Sequence, residues 1–286
     1  MKDLIKRFPF TISSSLKEII PVLNLMPPKK GYFSLSCHVR NETAVIAEIY
    51  EKKQFMFSYS GHNFENKCDI LQFHCDLLAE GYLELKALDG AKLEPEDEIY
   101  MSEANPTFST LKKTLKRDLE ISFDPIAQYL IPHKDSNRVC FAASLWHSFK
   151  LLTGRSLDIF EVMEKLYDHH HHIYGNWSLG SMAFHALSSR EYSLRIHRYY
   201  SLELIEQQLV MNKPVIVSIQ GEIEGAIKPF LDGHLLTVVG LDEKSVVVLD
   251  SASNTRVEVL KRYSMPSFLK AWERRNYTAF TFEKKI

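Results

Sequence analysis

Cysteine is scarce in this sequence, and no two cysteines are spaced as a pair: Cys37, Cys68, Cys75 and Cys140 are scattered over 286 residues. Without a CxxC spacing there is no zinc-cluster pattern, and four thiols so far apart do not form the framework of a small disulfide-stapled domain. Net charge is nearly absent too, with 35 Lys and Arg against 36 Asp and Glu for a formal −1. Global electrostatics therefore give no route to a polyanion. No apolar run is long enough to cross a membrane, and residues 1–8 lack the continuous apolar segment of a secretory leader. The basic stretch Lys112–Arg117 is followed at once by Asp118 and Glu120, so it reads as a solvated connector rather than a nucleic-acid patch. These absences point to a reducing, cytoplasmic setting with no membrane or nucleic-acid partner; composition is silent on non-standard export.

What is present is core material. A hydrophobic fraction of 45% beside 25% charged residues is ordinary for a globular chain, and the length suits one large domain or two ordinary ones. In the first hundred residues the period is two. Phe33, Leu35, Cys37 and Val39 alternate with Ser34, Ser36 and His38, and Leu71, Phe73, Cys75 and Leu77 alternate with Gln72, His74 and Asp76. Further strands are expected over 44–50, 54–60, 82–88 and 98–102, separated by turn signals such as Asn41-Glu42, Gly61-His62-Asn63 and Asp89-Gly90. Short strands at this spacing predict a small β-sandwich, with Cys37 and Cys75 as buried thiols.

The period changes after about residue 105. Leu145, Trp146, Phe149 and Leu152 recur at helical spacing over 139–153, and Gly154 is a natural stop. More helices are expected over 158–167, 178–187 and, behind Ser201 as cap, 202–211. Strands follow over 214–220, 234–241, 245–250 and 277–282. Helices and then an antiparallel sheet make an α+β domain. The expected division is a sandwich over 1–108, a linker over 109–129 and the α+β domain over 130–286.

Chemistry concentrates in that second half. A nucleophilic thiol needs a lowered pKa, a base within reach and a group that orients the base. Cys140 stands where a helix is predicted to begin, and open N–H groups there favour a thiolate. Taken alone, Cys140 reads more readily as a small buried residue at a helix start. The strands around Val238 and Val247, joined at Asp242-Glu243-Lys244, form a hairpin that sets His234 and Asp250 opposite each other at its open end. An imidazole beside a carboxylate is held in one tautomer and kept basic.

Five segments in this order resemble a known family: Arg138–Ser144 around Cys140, Asp168 with Ile173–Trp177, Lys213–Ile219, Asp232–Leu235 and Val248–Ala252. Over roughly residues 130 to 282 the chain is similar to the stand-alone branch of the C39-like peptidases. The resemblance implies a papain-like cysteine peptidase domain with Cys140 as nucleophile, His234 as general base and Asp250 as its orienting partner. It implies a peptide or isopeptide substrate, a thioester intermediate and no cofactor. The first half is similar to the sandwich that precedes this domain in some relatives, and by that analogy is a candidate for binding a protein or glycan partner.

One departure stands out: residues 131–137 contain no Gln, the family's usual oxyanion donor, and Gln128 reads as too far upstream. Ser136 and Asn137 are the candidate substitutes, since either side chain can donate a hydrogen bond. Asn176, Trp177 and Gln220 are candidate substrate-cleft residues. The same triad would serve a glutamine deamidase or transglutaminase, and the missing Gln keeps a catalytically decayed scaffold open. His169–His172 invites a metal reading, but consecutive histidines cannot all converge on one ion, so an exposed loop without metal is expected.

Overall fold

A computed structural model describes residues 4–12, 18–74, 79–104 and 117–285. Cys75, Asn105-Pro106 and Lys112–Lys116 lie outside these residues. Among the described residues there are five α-helices: α1 (Cys140–Thr153), α2 (Ile159–Leu166), α3 (Trp177–Leu187), α4 (Leu202–Val210) and α5 (Met265–Glu273). None is long and apolar enough to cross a membrane. The sheets are mostly antiparallel, so the molecule is α+β with a sheet-rich N-terminal region.

The chain divides into two compact units. The first is Met1–Ser102, Glu164–Ser193 and Lys285–Ile286; the second is Glu103–Met163 and Leu194–Lys284. Neither is one continuous stretch. The segment carrying α3 leaves the second half of the sequence and joins the first unit.

In the first unit, one five-stranded sheet runs in the order Leu4–Ile12, Ala79–Leu88, Tyr32–Val39, Glu42–Ile49, Gln54–Met56. A second runs Glu18–Ile19, Ile70–Phe73, Phe64–Lys67, Tyr59–Ser60, and a strand pair joins Pro21–Asn24 to Glu98–Met101. Phe33, Leu35, Cys37 and Val39 share one core with Ile12, Ile19, Leu83, Phe64 and Leu71. The alternation identified the strand, but Ser34 and Ser36 are buried as well, so this central strand is covered on both faces. α3 adds Leu179 and Met182 to the same core. Its N-terminus is capped from elsewhere in the unit: buried Asp69 accepts the Ser178 N–H through Oδ2 at 2.8 Å.

In the second unit one sheet runs in the order Glu103–Ala104, Tyr192–Arg198, Ala279–Lys284, Val215–Gly221, Phe230–Leu241, Ser245–Leu249, Leu260–Ser264, with Arg117–Asp118 also paired to Phe230–Leu241. Ile205 and Leu209 of α4 and Phe268, Ala271 and Trp272 of α5 pack with Val217, Leu236, Val246 and Val248 in a single core. The helices expected over 139–153, 158–167, 178–187 and 202–211 are present within a residue or two, and Ser201 caps α4 by accepting the Leu204 N–H at 3.3 Å. The strands Tyr192–Arg198 and Leu260–Ser264 and helix α5 were not anticipated. The first of these does alternate, Tyr192, Leu194 and Ile196 against Ser193, Arg195 and His197, so its signal was in the sequence.

Candidate active site

Two short 3-10 turns, Gln128–Leu130 and Ser136–Arg138, lead into α1, which opens on Cys140 itself. The residue before it, Val139, supplies no side-chain cap, and the first helical bond runs from Ala143 N–H to Val139 O at 3.0 Å. The thiol therefore stands at an uncapped helix N-terminus, where the backbone presents positive charge.

The strand Phe230–Leu241 holds the helix in place. Its ladder to Ser245–Leu249 starts only at Thr237, so Leu235 is free to bond α1. The Ser144 hydroxyl donates to Leu235 O at 3.2 Å, and the Thr237 hydroxyl donates to Ser144 O at 3.3 Å. Both the Leu235 N–H and the His234 ring act on the Cys140 sulfur and favour its thiolate. One strand residue and its neighbour thus locate both the thiol and the imidazole.

The turn before His234 demands glycine. Gly233 has φ 95, and a Cβ there would lie 2.1 Å from the Arg275 guanidinium, which itself donates to Asp232 O at 3.0 Å. The hairpin register differs slightly from the sequence expectation. Thr237 faces Leu249 and Val238 faces Val248, with an irregularity before Gly240–Val247. Continued outward, that ladder would set His234 opposite Ala252, so Asp250 meets His234 as a diagonal neighbour from just beyond the strand's end. The two side chains still meet: His234 Nε2 and Asp250 Oδ1 are 2.7 Å apart. With Nε2 so engaged, Nδ1 is the nitrogen left to face Cys140.

Asp250 is fully buried and well supplied with donors. Besides His234, Oδ1 accepts Ala252 N–H at 2.9 Å, and Oδ2 accepts the Tyr263 hydroxyl at 2.5 Å. The His234 ring stacks on Phe230, with centroids 4.1 Å apart and planes within 11°. These contacts set the electrostatics. Burial works against an imidazolium at His234, but the Asp250 charge and the hydrogen bonds to Asp250 and Cys140 outweigh it and raise the ring to about 10. Burial likewise pushes the Cys140 thiol up, yet the hydrogen bond and charge of His234, with Leu235 N–H, bring it below an ordinary thiol. The Asp250 carboxyl, against its burial, is held low by His234 and Tyr263. The other described thiols go the opposite way: burial pushes Cys37 up to about 12 and Cys68 up to about 11.

Sequence reasoning located Cys140, His234 and Asp250, and the structure brings all three together. It missed Tyr263, which no motif marks; only strand pairing brings Leu260–Ser264 alongside Ser245–Leu249. It also set Gln128 aside on spacing. The two 3-10 turns take up the intervening chain, and Gln128 is buried with its Oε1 accepting the Ser251 hydroxyl and its N–H donating to Ser251 O, both at 2.8 Å. Gln128 therefore clasps the residue after Asp250. Ser136 and Asn137 lie in the turn just before Cys140, Asn137 exposed. Gln220 donates to Leu231 O at 2.7 Å and ties together the ends of the loop between its strand and that of His234. Asn176 and Trp177 belong to the first unit, where Asn176 is buried and donates to Asp168 at 2.6 Å and Trp177 opens α3. His147, on the Cys140 face of α1, is buried and pushed down to about 3 by that burial; it accepts Ile126 N–H at 2.9 Å. Among the described residues no cluster of His, Cys, Asp and Glu could hold a metal ion.

The profile of the Peptidase_C39 like family matches residues 120–280. No curated protein matches the chain. Among solved structures it is similar to a crystal structure from Bacillus anthracis described as a candidate C39-like peptidase, with 14% identity and a TM-score of 0.45, over 60% of this chain and 98% of that one.

Proposed function

The chain belongs to the C39-like peptidase family, and from that premise we propose that it is a cysteine peptidase working through Cys140, His234 and Asp250. The observation that carries this reading is buried Asp250 set 2.7 Å from the His234 ring, beside a helix-start thiol that the same ring holds below its ordinary range. The lowered thiol and raised imidazole favour a thiolate–imidazolium pair, the resting form of an activated cysteine.

In this mechanism the thiolate attacks the scissile peptide or isopeptide carbonyl. The imidazolium gives its proton to the departing amine as the C–N bond breaks, leaving a thioester on Cys140. Neutral His234 then takes a proton from water as the water oxygen bonds to the thioester carbon; the C–S bond breaks, the acid departs, and the thiolate–imidazolium pair is restored. Asp250 keeps Nε2 occupied and the ring oriented throughout. The developing oxyanion is met by backbone N–H groups at the uncapped start of α1, with Ser136 and Asn137 as side-chain donors from the preceding turn. Gln128 positions Ser251 and, through it, the segment carrying Asp250. The intact donor set around Asp250 supports a working site over a decayed one.

Limiting iodoacetamide applied to the folded protein between pH 5 and 9, with adducts located by mass spectrometry, tests the pair. Cys140 should be alkylated ahead of Cys37 and Cys68 at the acid end, and His234→Ala should abolish that preference. Labelling of Cys140 that follows an ordinary thiol near pH 8.5 would overturn the proposal.

A further inference from the structure

The four-histidine tract has a partner in the first unit that its sequence did not reveal. Asp168 N–H donates to Ile173 O and His172 N–H to Asp168 O, both at 2.9 Å, so residues 169–172 form a tight loop folded over Asp168. Asp168 is fully buried. Its Oδ1 accepts the N–H groups of His170 at 2.9 Å, Met56 at 3.2 Å and His171 at 3.4 Å. Its Oδ2 accepts Asn176 Nδ2 at 2.6 Å and pairs with His171 Nδ1 at 2.7 Å. The other nitrogen of the same ring, His171 Nε2, lies 3.0 Å from the hydroxyl of Ser58, an exposed residue. Cys68 N–H donates to that hydroxyl at 3.4 Å.

We propose that Ser58, His171 and Asp168 form a second nucleophilic site, a Ser-His-Asp relay in the first unit that cleaves esters independently of Cys140. Polarity is what separates this arrangement from a loop latch. A latch would be served by either ring nitrogen and by partners of any exposure. Here the buried carboxylate holds Nδ1–H, which leaves Nε2 as an acceptor aimed at the one hydroxyl that solvent and substrate can reach. The acid is rigid because five donors hold it, and the base is rigid because the acid holds it. The Cys68 N–H accounts for one lone pair of Ser58 Oγ, and its O–H then points to Nε2.

The chemistry balances with these groups and water. Ser58 Oγ bonds to the ester carbonyl carbon as its proton passes to His171 Nε2. The tetrahedral centre collapses with loss of the alkoxide, which takes that proton and leaves as the alcohol. Water, deprotonated by the same nitrogen, then releases the acid and restores Ser58. Esters are the class inferred because an alkoxide leaves without the help an amide nitrogen requires, and the site stands at an exposed surface.

The test uses the full-length protein and a fluorophosphonate, which forms a P–O bond to an activated serine with loss of fluoride. Mass spectrometry should find the adduct on Ser58 in the wild type and at equal yield in Cys140→Ala. In His171→Ala the adduct should fall at least 100-fold, the low end of a general base's contribution. Hydrolysis of 4-nitrophenyl butyrate by Cys140→Ala should fall by a like factor when Ser58→Ala is added. Ser58 is exposed, so that variant keeps the fold; should Asp168→Asn fail to fold, the His171 and Ser58 variants decide the matter. An unlabelled Ser58 in the folded wild type, or an equal yield in His171→Ala, overturns the proposal. Neither result bears on the thiol, whose alkylation is measured separately.

Discussion

Tyr263 illustrates how much a single hydroxyl can carry. It is buried, its phenol is pushed well above an ordinary tyrosine by burial and by the Asp250 charge, and it donates to Asp250 Oδ2. Tyr263→Phe leaves a buried carboxylate one donor short, which costs about 1–3 kcal/mol. The melting temperature should fall, and Cys140 alkylation at pH 6 should slow; no change in either would remove the hydroxyl from the account. The two buried histidines give opposite pH signatures. His234 is raised above 6.5, so its stabilising contribution is full below pH 6.5 and is lost as pH climbs through about 10. His147 is lowered to about 3, so the unfolded chain takes up a proton before the folded one does, and stability falls as pH drops from 6.5. Asp250, held low, adds to the acid loss once pH falls below the ordinary carboxylate range. Urea midpoints across pH should therefore form a dome. His147→Gln, which keeps an acceptor for Ile126 N–H but does not titrate, should flatten its acid side, and His234→Ala should flatten its alkaline side. A parallel shift of the whole curve in either variant would contradict these assignments.

At the scale of elements, the placement of His234 rests on how the strand Phe230–Leu241 is entered and where its ladder stops. Gly233 combines a left-handed φ of 95 with the Arg275 guanidinium in the space a Cβ would fill, whereas a methyl group added at Gly154, with φ 70 at the end of α1, would meet nothing within 4 Å. The two alanine substitutions should therefore separate. Gly154→Ala should cost only the backbone strain, about 1 kcal/mol, and leave the Cys140 preference intact. Gly233→Ala must also move Arg275 or the strand, should cost more, and should blunt preferential alkylation of Cys140. Equal melting losses with equal alkylation profiles would show that the turn before His234 does not set the site.

At the scale of the whole molecule, the return of residues 164–193 to the first unit has consequences for any attempt to divide the protein. Leu179 and Met182 on α3 are buried in a core otherwise built from N-terminal strands. A fragment of residues 103–286 retains Cys140, His234 and Asp250 but leaves that face of α3 without its partners. It should show weakened near-ultraviolet circular dichroism and a broadened melt beside the full chain, and it should aggregate at lower concentration. A fragment that melts as sharply as the parent would show the second half to be autonomous after all.

Much of this was legible in the chain itself. The period of two in Phe33–Val39 and the helical spacing through Leu145–Leu152 identified the α+β class, because side-chain direction alternates with a fixed period in each element. Cys140 at a helix start, with His234 and Asp250 flanking one hairpin, was readable for the same local reason: a helix boundary and a hairpin involve residues near in sequence. What was not readable depended on partners far apart along the chain. The hydroxyl of Tyr263 on Asp250, the clasp of Gln128 on Ser251, and the placement of His171 between Ser58 and Asp168, 113 residues from Ser58, follow from strand order and loop path. No local propensity encodes those, because the energy that selects them comes from burying whole faces together. The sequence by itself determined the helices α1 to α4, the hairpin strands and where a thiol, an imidazole and a carboxylate could meet. Only the tertiary structure decided which further groups surround them, because hydrogen bonds between distant segments exist only once the cores that carry them have packed.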